Sequence, residues 1–505
     1  MLFNSYIFIF LFFPLCLAGY YTLIHFRQRE LAKIFLTLMS FWFYGYFQIN
    51  YLLIMVLSIA GNYLFHILLS RAGSRARAKS LLVLAVTANL GVLFYFKYYD
   101  FFVDNVNALF GTSFMLKHVL LPLGISFFTF QQIGFIVDTY RGEVRECGLF
   151  SYALFVSFFP QLIAGPIVKQ SEMLPQFAHI TEKKADWEKI YKGFMLLIAG
   201  LFKKVILADT FGAGVDYGYA NIALLGRMDA VFVIIAYSLQ LYFDFSGYCD
   251  MARGIGAMLG LEIPVNFLSP YKSRNIVDFW KRWHITLNRF FTAYVYIPLG
   301  GNRKGKGRMY VNFLIVFFLS GLWHGAGWNF IVWGMMHGVL YVVTRWWMER
   351  HGSGSGKREN MTKVSFGCIL RKFMTFMSKI CLFLYVSIAW VYFRAKDVAQ
   401  ANSLLHTAFS GKLQKLSVDL AECFELDELW YILKVLHLDQ MAVSRYILMF
   451  FMLAAGIGLS MFGRNAGEIV EKMKGKAVTA VLFGVVFVWC ILSFSQVSTF
   501  LYFNF

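Results

Sequence analysis

The sequence predicts an all-α membrane protein. It should be a polytopic bundle of about 11–13 membrane-crossing helices, some broken or re-entrant, enclosing a tunnel. Three observations lead there. Of 505 residues, 59% are apolar and 15% are charged, against about 25% charged in a soluble domain. The mean hydropathy is +0.60. The basic residues, which give a net charge of +19, fall in short clusters between apolar runs. So basic a chain invites a nucleic-acid reading. The alternation with apolar runs is instead the positive-inside pattern, with anionic lipid headgroups as counter-charge. A lipid bilayer is the expected partner, and nucleic acid is not.

The elements follow in order. The first run, "FNSYIFIFLFFPLCLAGYYTLI", has no basic residue before it and no small-residue cleavage site. It is too long for a signal-peptide core and reads as a retained first membrane helix. A span takes roughly 20 apolar residues. Further candidates lie near 34–49, 51–70, 80–96, 119–137, 149–165, 190–208 and 229–245, then 309–323, 327–346, 374–394, 445–463 and 477–495. Residues 249–300 are mixed and Gly-rich, which suits tilted or re-entrant pieces. The loops "HFRQRELAK" and "RAGSRARAK" are basic and should be cytoplasmic, with the N-terminus outside. "NRKGKGR" (302–308) and the linker-like "ERHGSGSGKREN" (349–360) should share that side. Residues 397–441 carry the acidic "DLAECFELDEL" and helical periodicity without a spanning run. They read as an interfacial or extracytoplasmic segment. Three regions result: N-terminal membrane helices over 1–110, a core over 111–350, and C-terminal membrane helices over 351–505. Seven scattered cysteines without a CxxC read as buried free thiols.

Polar residues inside apolar runs are the candidates for chemistry. In "SGLWHGAGWNFIVWGMMHG" (320–338), His324 is open to three readings: a packed histidine, a metal ligand or a general base. His337 follows thirteen residues on. On one continuous helix that is about 220° around and about 20 Å along the axis, so the two would not share an ion. No metal site is expected, and His337 should matter less. Glycines 321, 325 and 327 admit close approach of backbone or substrate, which favours a site. In "NIVDFWKRWHITLNRFFTAYVYIPLGG" (275–301), Trp280 and His284 share a helix face at i, i+4, while Lys281 and Arg282 point elsewhere. In "LYFDFSGYCDMARGIGAMLGLEIPVNF" (241–267), Asp244, Ser246 and Asp250 interrupt an apolar run. Arg253, the 281–282 cations or a histidine are their expected partners, either as ion pairs at a helix break or as a tunnel wall.

These stretches, in this order, resemble the membrane-bound O-acyltransferases. "SFFTFQQIGFIVDTYRGEV", "FPQLIAGPI" and the closing "STFLYFNF" agree as well. Within the family the chain is most similar to the bacterial alginate O-acetylation branch, which includes cellulose and peptidoglycan transferases. The resemblance implies that His324 is the catalytic histidine and that His284 is a second functional position. It implies a tunnel that admits the acyl donor from the cytoplasmic side. Trp280, Trp283, Trp323, Asp244, Ser246 and Asp250 are expected along it. Lys281, Arg282, Arg303 and Lys304 are expected at its cytoplasmic mouth. No bound cofactor is expected. The co-substrate is acetyl-CoA or a carrier-protein thioester, and the acceptor is a glycan of the cell envelope. An extracytoplasmic SGNH-type acetyltransferase is an expected partner, and the bacterial plasma membrane the expected location.

A neutral imidazole, with a reference pKa near 6.5, takes a proton from a hydroxyl at neutral pH. Rival readings are D-alanyl transfer to teichoic acid, or a transporter or anchor without chemistry of its own. The D-alanylation branch has the two histidines but is usually shorter. The additional C-terminal helices and the "FLYFNF" ending favour the polysaccharide branch.

Overall fold

The computed structural model describes residues 1–505 except 145–146, 183–184, 352–365, 439–440, 442, 474–476, 497–499 and 502–505. Most of the expected 349–360 linker and of the closing "FLYFNF" lie outside the described residues. Among the described residues the regular structure is helical, with no strand. Six of these helices are long and apolar enough to cross a membrane: Phe8–His25, Ile49–Ser70, Arg75–Phe110, Arg227–Met258, Phe373–Arg394 and Ser444–Met461. Their burial differs widely. The apolar window of Arg75–Phe110 is 17% buried and that of Arg227–Met258 is 83% buried. The first therefore presents apolar side chains outward, as a lipid-facing helix does. The second is interior, with buried polar side chains among its apolar ones.

Several expected spans take a different form. The 149–165 run breaks at Phe158 (ψ 108°) into Leu149–Ser157 and the single turn Phe159–Leu162. Pro160 has no N–H, and its ring crowds the carbonyl one turn back, which favours a break at this point. The 190–208 run is the helix Trp187–Leu201 followed by a π-helical stretch, Phe202–Ala208. The expected helix break around Asp244–Asp250 is absent. Arg227–Met258 runs unbroken for 32 residues, with Asp244 and Asp250 held in ion pairs by Lys204 and Arg253. Irregular chain begins after it.

The chain forms two compact units interleaved along the sequence: 1–202 with 245–265 and 466–505, and 203–244 with 266–465. The first unit holds an aromatic cluster in which Phe12 and Phe43 lie 5.2 and 5.4 Å from Phe159. Asn62 and Asn89 exchange amide hydrogen bonds of 3.1 and 2.7 Å between neighbouring helices. Paired amides are a common interhelical contact where water is scarce. The Trp187–Leu201 helix packs Met195, Leu196 and Ile198 against Ala466 and Val470 of the C-terminal segment.

The second unit is built on the helical hairpin Lys306–His324 and Trp328–His351, followed by Phe366–Arg394. Small residues set the hairpin's spacing. A Cβ on Gly321 would sit 2.5 Å from the Phe330 carbonyl oxygen, and one on Gly334 would sit 2.5 Å from that of Phe317. At the open end, Glu349 accepts from Tyr310 at 3.2 Å and pairs with Lys306 at 3.5 Å. At the other end, Asn329 donates to the carbonyls of Tyr392 and Ala395. The helix Val398–Ser410 starts there. The basic turn 302–308 and residues 398–410 thus lie at opposite ends of the hairpin.

Candidate active site

The site starts from a reversal of the chain. Leu268 N–H donates to the Arg282 carbonyl, and Ile285 N–H to that of Asn266, both at 3.0 Å. This pairing sets Asn266 beside residues 284–286. Its Oδ1 then accepts three hydrogen bonds: from His284 Nδ1 at 3.2 Å, the Thr286 N–H at 3.1 Å and the Thr286 hydroxyl at 2.9 Å. Because an amide oxygen only accepts, His284 carries its hydrogen on Nδ1 and its lone pair on Nε2. Asn288 fixes the other flank by donating to the carbonyls of Trp280 and Trp283.

His284 is not on a helix with Trp280. The helix Ile276–Trp280 ends at Lys281, and His284 has φ 47° and ψ 52° as the N-cap of Ile285–Phe291. The expected i, i+4 face is therefore replaced by a left-handed turn. That conformation is uncommon outside glycine and persists where neighbours over-determine it. Here the Asn266 bonds do so.

His324 ends the Lys306–His324 helix. Its ring centroid lies 6.3 Å from that of His284, with His284 fully buried and His324 2% exposed. That spacing leaves both rings within hydrogen-bond reach of one small polar group. Aromatic edges wall the pair: Trp323 at 4.8 Å, Trp333 at 4.9 Å and Phe393 at 5.1 Å from His324, with Trp323 also 6.0 Å from His284. Of the nearby glycines, Gly321 lets backbone pack on backbone, whereas a Cβ on Gly325 would meet the Phe330 ring and one on Gly327 the Asn329 side chain.

The structure distributes the remaining nominated residues. Trp283 is buried against Phe279 at 5.6 Å and Trp390 at 4.9 Å. Trp280 contacts Phe317 at 5.3 Å and His337 at 5.2 Å. Asp244 pairs with Lys204 at 2.8 Å, and Lys204 also holds Asp209 at 2.8 Å. Lys204 was not among the partners expected for Asp244. Asp250 does pair with Arg253, at 3.7 Å. Asp250 and Ser246 belong to the first unit, whereas both histidines belong to the second. Arg282 is engaged by Asp278 at 3.0 Å. Lys281, Arg303 and Lys304 are exposed. Arg303 and Lys304 sit in a turn where Gly300, Gly301 and Gly305 take positive φ of 104°, 55° and 87°. A cavity of about 780 Å³ in the first unit is lined by residues of both charges, among them Lys189, Lys192, Glu188 and Glu262. None of the nominated site residues lines it.

Sequence reasoning missed Asn266, although it stands in "PVNF" as a polar residue in an apolar run. It also missed the Trp333, Trp390 and Phe393 wall, which is indistinguishable in sequence from lipid-facing aromatics.

An apolar helical bundle holding two buried imidazoles, one of them tethered by an amide, is a membrane protein with the apparatus for acid–base chemistry. The sequence model of the membrane-bound O-acyltransferase family matches residues 113–387, a range that includes both histidines. A peptidoglycan O-acetyltransferase of Helicobacter pylori is 41% identical over 80% of this chain and 79% of its own. The probable alginate O-acetylase AlgI of Pseudomonas aeruginosa is 38% identical over 83% of this chain and 76% of its own. A teichoic acid D-alanyltransferase of Streptococcus thermophilus is 29% identical over 45% of this chain and 58% of its own. The chain belongs to the membrane-bound O-acyltransferase family. It is an acyltransferase.

Proposed function

We propose that the protein moves an acetyl group from a cytoplasmic thioester, acetyl-CoA or an acylated carrier protein, to a cell-envelope or secreted polysaccharide. Delivery is direct or through an extracytoplasmic SGNH-type acetyltransferase, and the membrane is the bacterial inner membrane. The observation that carries this reading is the pair of buried imidazoles 6.3 Å apart. The polysaccharide acceptor is supported by the two relatives that match most of the chain. The D-alanyl alternative matches 45% of it and is less favoured.

His324 acts as the general base. It takes the proton of the acceptor hydroxyl as the oxygen attacks the thioester carbonyl. The tetrahedral intermediate collapses, the C–S bond breaks, and the imidazolium returns the proton to the thiolate. His284 presents a lone pair at Nε2, so it suits a substrate N–H or O–H rather than an oxyanion, which needs a donor. Its role is to orient the donor. The apolar, aromatic walls exclude water that would hydrolyse the thioester.

The basic turn 302–308 takes the cytoplasmic side by its lysine and arginine content. The 19-residue helix from Lys306 to His324 is about 28 Å long. A donor whose charged end binds at that turn needs a long flexible arm to reach His324, as the pantetheine thioesters have. Arg303 and Lys304 suit the phosphates of CoA or an acidic carrier.

Purified protein mixed with labelled acetyl-CoA tests the reading. The thioester should be consumed and label transferred to a glycan or partner in the parent protein, and not in a folded His324→Ala variant. Transfer by that variant at the parent rate would overturn the assignment.

A further inference from the structure

The helix break at 325–327 invalidates the distance between His324 and His337 that a continuous helix would impose. Instead the hairpin folds His337 back beside the same aromatic wall. His337 is fully buried. Neither of its ring nitrogens has a hydrogen-bond partner among the described residues. Its ring is enclosed by Trp333 at 5.1 Å, Trp280 at 5.2 Å, Trp390 at 5.7 Å and Phe279 at 6.3 Å. The indole N–H groups of Trp280 and Trp333 are likewise buried without a protein partner. Trp333 and His337 are one helical turn apart. The same Trp333 ring touches His324 at 4.9 Å, so a single indole contacts both imidazoles.

Packing alone does not account for imidazole and indole nitrogens left bare within one apolar cage, because buried polar groups are normally hydrogen-bonded. The donor count points to the ligand. A neutral imidazole offers one donor and one acceptor, and each indole offers one donor. Three donors and one acceptor are poorly matched to each other. Water accepts two hydrogen bonds and donates two, and buried waters typically make about three. A water that accepts from an indole N–H and donates to the bare nitrogen of His337 satisfies both and keeps a second hydrogen and a second acceptor site for neighbours.

We propose that His337, Trp280 and Trp333 form a buried water-binding site behind the catalytic ring, and that His337 positions His324 through it. The chamber then contains three functional imidazoles: His324 reacts, His284 orients substrate, and His337 anchors the water network that fixes His324. The proposal rests on the assignment of His324 as the base.

The test uses the full-length purified protein and five variants. His337→Leu removes both ring nitrogens and refills most of the volume. His337→Gln restores one donor and one acceptor. Trp333→Phe removes the N–H together with the five-membered ring that carries it. His337→Leu and Trp333→Phe should each lower kcat about 10- to 100-fold with the donor KM nearly unchanged, the size expected when a reacting group is misplaced. The double variant should be no worse than the poorer single one, since both act through one site. His337→Gln should recover most of the rate. Parent-like kcat in folded Trp333→Phe, or additive losses in the double variant, would overturn the proposal. If His337→Leu does not fold, Trp333→Phe and His337→Gln still decide it. Retained transfer in His324→Ala would instead overturn the underlying assignment, which separates the two failures.

Discussion

Replacing Asn266 with alanine should disable the site without emptying it. The amide oxygen accepts three hydrogen bonds, at 3.2, 3.1 and 2.9 Å. Each contributes about 0.5–1.5 kcal/mol net, so their sum is about 1.5–4.5 kcal/mol. Against this, the left-handed backbone of His284 stores about 1–3 kcal/mol, part of which is released when the restraint goes. The expected loss of stability is therefore about 1–3 kcal/mol. The catalytic loss should be larger than that implies. Without Asn266, the His284 ring can exchange tautomers and rotate, and misorientation of a site group costs about 100-fold. The assay pairs thermal unfolding in detergent, read by intrinsic fluorescence, with transfer from labelled acetyl-CoA. Asn266→Asp keeps an acceptor at the same place and should retain activity within about tenfold. An Asn266→Ala protein that transfers acetyl at the parent rate would refute the reasoning, whatever its melting temperature.

Other expectations are independent of that one. His284→Ala should lower transfer strongly and His284→Asn less, because the amide keeps hydrogen-bonding capacity; the rates of the two variants decide it. Lys204→Met leaves Asp209 and Asp244 buried together without their cation and should cost about 3–5 kcal/mol. Adding Asp209→Asn and Asp244→Asn should restore part of that stability in the same unfolding measurement. Gly334→Ala gains about 1 kcal/mol of helix propensity, yet its Cβ would meet the Phe317 carbonyl oxygen at 2.5 Å; net destabilisation is expected, and a higher melting temperature would contradict the packing. Single cysteines at Lys304 and Asp427, in a background without the native cysteines, should label from opposite faces of sealed vesicles.

How far the sequence reaches depends on how local the cause is. The bundle was legible because each apolar run carries its own signal. His324 and His284 were legible because an imidazole in such a run is conspicuous. Periodicity failed at 281–284 because it assumes a continuous helix, and a left-handed His284 ends one. Asn266 was invisible because its role depends on a chain reversal that brings it beside residues 18 and 20 positions later. Lys204 gives no sequence signal as the partner of Asp244, because a lysine in an apolar run does not say which distant carboxylate folding will bring to it. Glycine 321 announced a close approach without saying whether backbone or substrate makes it, and the hairpin geometry answers backbone. The axial distance between His324 and His337 assumes one continuous helix, and the chain instead turns at 325–327.

The interleaving of the two units has a consequence for biogenesis. The Trp187–Leu201 helix finds part of its apolar cover on Ala466 and Val470, some 265 positions later in translation. At about 5–20 residues per second, that cover arrives roughly 13–53 s after the helix has left the ribosome. During that interval, while the whole of the second unit is being made, the bare face has only lipid, or the insertion machinery, to shield it. Assembly of the first unit therefore waits until the second unit has been made. Slowing translation between these segments should lengthen the period in which membrane proteases can reach the nascent chain.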